Sequence, residues 1–342
     1  MKHSETRQDP STREWVVIAP ERPMGDMLKV ETARAHEVLC PFCPGNENMT
    51  PAELLRVPRG SSNTDWQLRV VPDKFAALTP DIPPIKGDGF FRRMAGFGHH
   101  EIVIEHPHHN IDLTDMPVEH VLKILQVYRT RQHELRKVKN VRSVSIFRNH
   151  GSLAGAACNH PHAQIIASAV IPELTHRKQE IAKSYASHTQ RNLYSEIWEA
   201  ETSSERLIET DETMAVFVPF AAAVPYEMWI MPRASHPSFS MASDRDLEGL
   251  AGMLHRSLLR LRGCWGDVAY GLVIYSCAVG EEAPYYRWHV QITPRVARAA
   301  GAELGPHICI NPMLPEDSAR NLRQASLNSH ESQLLAATYL IE

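Results

Sequence analysis

Asn149-His-Gly-Ser-Leu-Ala-Gly-Ala-Ala-Cys-Asn-His160-Pro-His-Ala-Gln-Ile-Ile166 is the stretch on which the reading of this chain turns. Its first part is a loop of Gly and Ala, whose small side chains let a backbone come close to a ligand, as a phosphate cradle requires. Its second part is strand-like, and there His160, His162 and Gln164 alternate, so all three fall on one face. Two imidazoles and an amide are a poor core but suit phosphoryl chemistry. A neutral imidazole attacks phosphorus without first losing a proton, and the phospho-imidazole it forms is itself reactive. The amide of Gln164 is placed to hold a nonbridging oxygen.

The same pattern returns further along the chain. His162-Ala-Gln-Ile165 falls on His289-Val-Gln-Ile292, an offset of 127 residues, and Glu101-Ile-Val-Ile104 falls on Glu227-Met-Trp-Ile230 at 126. A helical stripe, Val121, Ile124, Tyr128 and Leu135, falls on Leu247, Leu250, Leu254 and Leu261, and the strand expected over 141–147 falls on 267–273. This near-constant offset predicts an internal duplication of strand, helix, strand and His-bearing strand. The expected fold is α+β, with two related halves, 1–170 and 171–342, joined in one mostly antiparallel sheet with flanking helices.

Other elements are coarser. Strands are expected at 15–18, 67–71, 101–105 and 164–167, a turn at 19–23, and loops over 40–64 and 80–89. A helix capped by Asp115 is expected to run to Lys139, and a polar helical stretch to span 173–200. Ala300-Gly-Ala-Glu-Leu-Gly reads as a loop in which Glu303 could meet sugar hydroxyls, and Pro315-Glu-Asp as a helix start.

The 342 residues carry 36 Lys and Arg against 40 Asp and Glu, a formal charge of −4. With no basic run, nucleic-acid binding is not expected. No apolar stretch is long enough for a membrane span. The start of the chain has no apolar secretory segment, and only two of the six cysteines lie close together, so reduced thiols and a cytoplasmic setting are expected. Those two, Cys40-Pro-Phe-Cys43, offer two thiolates to one zinc ion. Histidines would complete the site, and the segment 99–109, with five of them, is one source whose spacing does not say which.

Together these residues resemble the galactose-1-phosphate uridylyltransferase family, a doubled branch of the histidine-triad superfamily. The likeness rests on Arg7 to Arg22, Cys40-Pro-Phe-Cys43, Arg69-Val-Val-Pro-Asp-Lys-Phe75, Glu101 to Asn110 and His160-Pro-His-Ala-Gln164, in that order. It implies that His162 is the nucleophile, nucleotidylated by a nucleotide sugar, and that Gln164 holds the phosphoryl oxygens. It implies zinc on Cys40, Cys43, His109 and His160. Asp73, Phe75, Asn149, Gly151 and Gly155 fall on the nucleotide side, and His289, Gln291 and Glu303 on the sugar-phosphate side. The family is generally dimeric, so a homodimer is implied. The default reaction is uridylyl transfer between UDP-glucose and galactose 1-phosphate. The alternative is phosphorolysis of ADP-glucose, with inorganic phosphate as acceptor, because the Gly155-Ala-Ala-Cys run and the 300–317 segment look like the ADP-sugar branch. Two further readings, a nucleotide hydrolase and a zinc-bearing interaction module, leave Gln164 or the duplicated strands unexplained.

Overall fold

A computed structural model describes residues 3–23, 39–59, 62–83, 87, 89–281, 284–296 and 308–327. The strands are β1 (Glu5–Gln8), β2 (Trp15–Ile18), β3 (Leu55–Arg59), β4 (Ser62–Pro72), β5 (Gly98–Ile104), β6 (Ser143–His150), β7 (His162–Ser168), β8 (Leu207–Thr210), β9 (Met214–Phe217), β10 (Met228–Pro232), β11 (Tyr270–Tyr275), β12 (His289–Pro294) and β13 (Cys309–Asn311). The helices are α1 (Val118–Leu135), α2 (Glu173–Thr189), α3 (Leu193–Thr202), α4 (Asp244–Trp265) and α5 (Pro315–Gln324).

Ten strands form one antiparallel sheet in the order β3-β4-β5-β7-β6-β11-β12-β10-β9-β8. This order reads the same from either end once each strand is exchanged for its counterpart in the other repeat. The register agrees. One row across the sheet runs Ile102, Gln164, Phe147, Val273, Gln291, Trp229. Phe147 therefore pairs with its own counterpart, and a pseudo-twofold axis passes between them at the β6–β11 seam. The duplication expected from the sequence is the architecture of the sheet. The proposed division after residue 170 falls in the link from β7 to α2.

Strand alternation sorts the two faces. Met214, Val216, Met228 and Ile230 join the core beneath α1 and α4, while Ala215, Phe217, Trp229 and Met231 join a second core with Leu193, Tyr194 and Trp198 of α3. The stripes of α1 and α4 cover one face of both halves. On the other face the halves differ. The second half is roofed by α2 and α3, whereas in the first half Ile102 and Ile104 lie under Trp66 and Phe42, the latter from the Cys40–Cys43 turn. A three-stranded sheet, β1-β2-β13, joins distant parts of the chain.

Several expected boundaries shift. The 40–64 loop contains β3, an edge strand whose Pro58 sits at a register irregularity, where a missing N–H costs no ladder bond. Asp115 does not cap α1. It closes a capping box with Asp112 on a short 3-10 turn, and α1 begins after Pro117. The 173–200 stretch is two helices, because Gln190 takes a left-handed conformation and Asn192 caps α3. The turn at 19–23 and the start of α5 at Pro315 are as expected. No disulfide joins the described cysteines.

Candidate active site

Cys40, Cys43, His109 and His160 converge, their ligand atoms all within 4.8 Å of one another. His160 Nδ1 lies 3.7 Å from Cys40 Sγ, 3.6 Å from Cys43 Sγ and 3.3 Å from His109 Nδ1. Cys43 Sγ lies 3.5 Å from His109 Nδ1. A tetrahedral ion with bonds of about 2.3 Å to sulfur and about 2.0–2.1 Å to nitrogen needs edges of about 3.3–3.8 Å, so these four residues fit a metal ion. The second nitrogen of His160 agrees. Nε2 donates to the His106 carbonyl at 2.7 Å, which leaves the Nδ1 lone pair facing the cluster. Burial pushes the His160 imidazole down to about 4, keeping it neutral as a ligand must be.

His160 also reaches the candidate nucleophile. Its backbone carbonyl accepts a hydrogen bond from His162 Nδ1 at 2.8 Å. A carbonyl can only accept, so Nδ1 carries the proton and Nε2 keeps its lone pair. Burial lowers the pKa of His162, against the pull of that carbonyl and of Glu105. His162 lines a cleft with Asn149, Gly151, Ala156 and Cys158, and the Phe42 ring lies 5.6 Å from the imidazole. Gly151 (φ 78) and Gly155 (φ 88) turn the approach loop through left-handed conformations that a side chain would strain. Asn149 lies two residues beyond Phe147, the cross-strand partner of Gln164, so it shares that face.

Gln164 is held by a residue the sequence reading did not separate from its neighbours. His100 Nε2 donates to Gln164 Oε1 at 2.9 Å, and His100 Nδ1 lies 3.3 Å from Asp73 Oδ2. Asp73 Oδ1 accepts the Phe75 N–H at 2.8 Å. The Phe75 ring is 86% exposed, so it offers an open apolar face rather than core packing. The one signal for His100 is its strand alternation with Ile102, which five histidines in eleven residues obscure.

Behind the cleft lies a buried charge network that the sequence reading also missed. Arg148 meets Glu105 and Asp112, each at 2.8 Å, and donates to the Tyr270 hydroxyl at 2.9 Å. His150 bridges Asp112 at 3.2 Å and Asp267 at 2.8 Å. Burial alone would raise Asp112, but His150 and Arg148 hold it well below the usual carboxylate range. The network crosses the seam, since Tyr270 and Asp267 belong to the second repeat.

The counterpart residues have different surroundings. His289 is fully buried, stacked on Trp229 at 4.5 Å and on Tyr275 at 5.2 Å, with Nδ1 donating to the Arg287 carbonyl at 3.1 Å. Its Nε2 meets the buried ammonium of Lys178 from α2 at 3.2 Å. Lys178 lies 3.8 Å from the centre of the Tyr275 ring and 4.7 Å from that of Trp229. Gln291 Nε2 donates to Glu227 Oε1 at 2.8 Å, and Trp229 Nε1 donates to the same oxygen at 3.0 Å. Burial raises Glu227 to about 7 and lowers Lys178 to about 8. Glu303 lies outside the described residues.

A family described as galactose-1-phosphate uridyl transferase, N-terminal domain, matches residues 1–172, and a domain of unknown function matches 98–342. The chain is 31% identical to an ADP-glucose phosphorylase of Arabidopsis thaliana over 94% of this chain and 93% of the relative. It is 25% identical to a galactose-1-phosphate uridylyltransferase of Thermotoga maritima over 94% and 99%. A crystal structure of an Arabidopsis thaliana ADP-glucose phosphorylase with bound ADP-glucose superposes with a TM-score of 0.81 at 28% identity, covering 94% of this chain and 99% of that one.

Proposed function

Since the chain belongs to the galactose-1-phosphate uridylyltransferase/ADP-glucose phosphorylase branch of the histidine-triad-like superfamily, we propose that it phosphorolyses ADP-glucose through an adenylyl-His162 intermediate. The observation that carries the chemistry is the tautomer of His162, which has Nδ1–H on a carbonyl and Nε2 free in the cleft. Nε2 attacks the α-phosphorus. A P–N bond forms as the P–O bond to the sugar phosphate breaks, and hexose 1-phosphate leaves. The His160 carbonyl stabilises the positive charge that the ring acquires. An oxygen of inorganic phosphate then attacks the same phosphorus, the P–N bond breaks, and ADP departs with His162 neutral again.

The nucleotide side of this proposal is formed by Asp73, Phe75, Asn149, Gly151 and Gly155, with Gln164 donating to a nonbridging oxygen. Gln291 serves the sugar hydroxyls on the sugar-phosphate side, to which the family resemblance alone assigns Glu303, and His289 acts from behind as a packed support. Zinc on Cys40, Cys43, His109 and His160 would supply rigidity rather than Lewis acidity. It would fix the segment whose carbonyl sets the His162 tautomer. A homodimer has its support in exposed apolar surface, including the Phe90–Phe91 pair.

Adenine is preferred because the adenylyl relative is the more similar, at 31% against 25% identity. Uridylyl transfer from UDP-glucose to galactose 1-phosphate is the second reading, favoured by the family matching residues 1–172. Intact-protein mass spectrometry after mixing with ADP-glucose or UDP-glucose, quenched without acid, tests both. An adenylyl adduct on His162 supports the first, a uridylyl adduct the second, and no adduct with either sinks both.

A further inference from the structure

The two glutamines of the pseudo-symmetric row are held by opposite ends. Gln164 and Gln291 occupy equivalent points, each across the sheet from a residue of the neighbouring strand, Ile102 or Trp229. Two residues before that partner, on the same face, stands His100 in one half and Glu227 in the other. This is the diagonal position, within reach of a long side chain. His100 donates to Gln164 Oε1. Glu227 accepts from Gln291 Nε2, and with N–H groups of Trp229 and Ala223 also donating to it, Glu227 acts as an acceptor throughout.

An amide pinned by its oxygen presents its NH2, and one pinned by its nitrogen presents its carbonyl. No described residue takes a hydrogen bond from Gln164 Nε2. That group is therefore a donor left for an anion on the face that carries His162. At Gln291 the acceptor end is the one left over, which suits hydroxyl groups and repels phosphoryl oxygens.

We propose that His100 is a positioning residue for nucleotidyl transfer: it locks the Gln164 carboxamide with its NH2 toward the transferring phosphoryl group, and the donor or acceptor character of position 100 decides which end of that amide faces the substrate. This rests on the His162 reading above. The backbone N–H of Ala77 donates to the far nitrogen of His100 at 3.3 Å, which leaves the ring proton on Nε2, the nitrogen that faces Gln164.

The test uses two variants of the same shape, His100→Gln, which keeps a donor, and His100→Glu, which makes position 100 resemble Glu227. His100→Gln is expected to keep kcat within about fivefold. His100→Glu is expected to lose about 100-fold in kcat with little change in KM, the scale of one lost oxyanion donor. The new negative charge is separated from the flipped amide by repeating the pair in a Gln164→Ala background. There the gap between the variants should shrink to within about threefold. Equal activity of the two variants, or a gap that persists without Gln164, overturns the proposal. The Gln164 side-chain NH2 resonance in a nitrogen–proton spectrum gives a readout independent of catalysis. It should match wild type in His100→Gln and shift in His100→Glu, and an unchanged resonance in both overturns the lock. A wild-type protein that forms no nucleotidyl adduct but shows this shift would break the functional reading and leave the lock standing.

Discussion

His162 and His289 stand at equivalent points of one sheet, on the same face, each with Nδ1–H on the carbonyl two residues earlier. Around His162 lies a cleft with a glycine loop and a metal-ligand cluster. Around His289 lie Trp229, Tyr275, Tyr194 and a buried ammonium. Duplication supplied two copies of the strand, and what covers each copy decides which can react. An imidazole whose Nε2 faces Lys178 has no room for phosphorus. The roof of α2 and α3 thus buries one copy and leaves the other lining a cleft.

The largest effect should follow from removing the two histidines in turn. His162→Ala is expected to cost at least about 10,000-fold in turnover, because it removes the nucleophile of the proposed reaction outright. His289→Gln should remain within about tenfold, its effect passing through packing. Rapid quench with labelled nucleotide sugar measures both. Adduct formation on His289, or near-normal turnover without His162, would break the comparison at its centre.

Metal removal should also divide the halves. The described Cys and His ligands cluster only in the first repeat. One metal ion per chain is therefore expected by elemental analysis, and Cys43→Ser should abolish it while lowering stability by at least about 3 kcal/mol. Two ions per chain, or one retained in Cys43→Ser, would show that the second half has a centre of its own.

Arg148 tests whether the halves are separate at all. Replacing it by Met takes the arginine from the buried Glu105 and leaves Asp112 with His150 alone of its two partners in charge, a loss of about 3–5 kcal/mol. Arg148 lies on β6 and reaches Tyr270 on β11, so the loss should appear as a single shifted transition in urea. Two transitions, one unmoved, would mean that the second half folds independently of the seam.

The duplication was legible because its marks lie within strands, where register carries a spacing from sequence into space. His162-x-Gln164 and His289-x-Gln291 sit in β7 and β12 with the offset intact. The Cys40–Cys43 pair was legible because a turn keeps its two thiols together. His100 was hidden among the histidines of 98–109, and only pairing with β7 singles it out. Lys178 was less visible still. On α2 it reads as one polar residue among many, and it becomes a buried cation only when that helix packs over β12. Asp115 misled because an acid near a helix start resembles a cap, whereas Pro117 sets the start and Asp115 closes the turn before it.

The smallest expected effect concerns that cation. Lys178 titrates at about 8 when folded, below the ordinary 10.5, because burial disfavours its charge. Below pH 8 the folded protein holds the ammonium at a cost. Between 8 and 10.5 the unfolded chain binds more protons than the folded one, so this contribution to stability rises with pH. Lys178→Met keeps the length of the side chain and removes the titration. Its stability relative to wild type should be highest below pH 8 and decline as the pH rises toward 10.5, by an amount on the order of 1–3 kcal/mol. Glu227, raised to about 7, pulls the other way from 4.5 upward, and the Lys178 charge holds it down in part, so the comparison is repeated in a Glu227→Gln background, which leaves the ammonium's contribution alone. Urea titrations across pH 7–10.5 measure the gap. A flat gap would mean that the ammonium meets water in the folded state, that the roof over His289 opens, and that burial is not what keeps the second histidine from reacting.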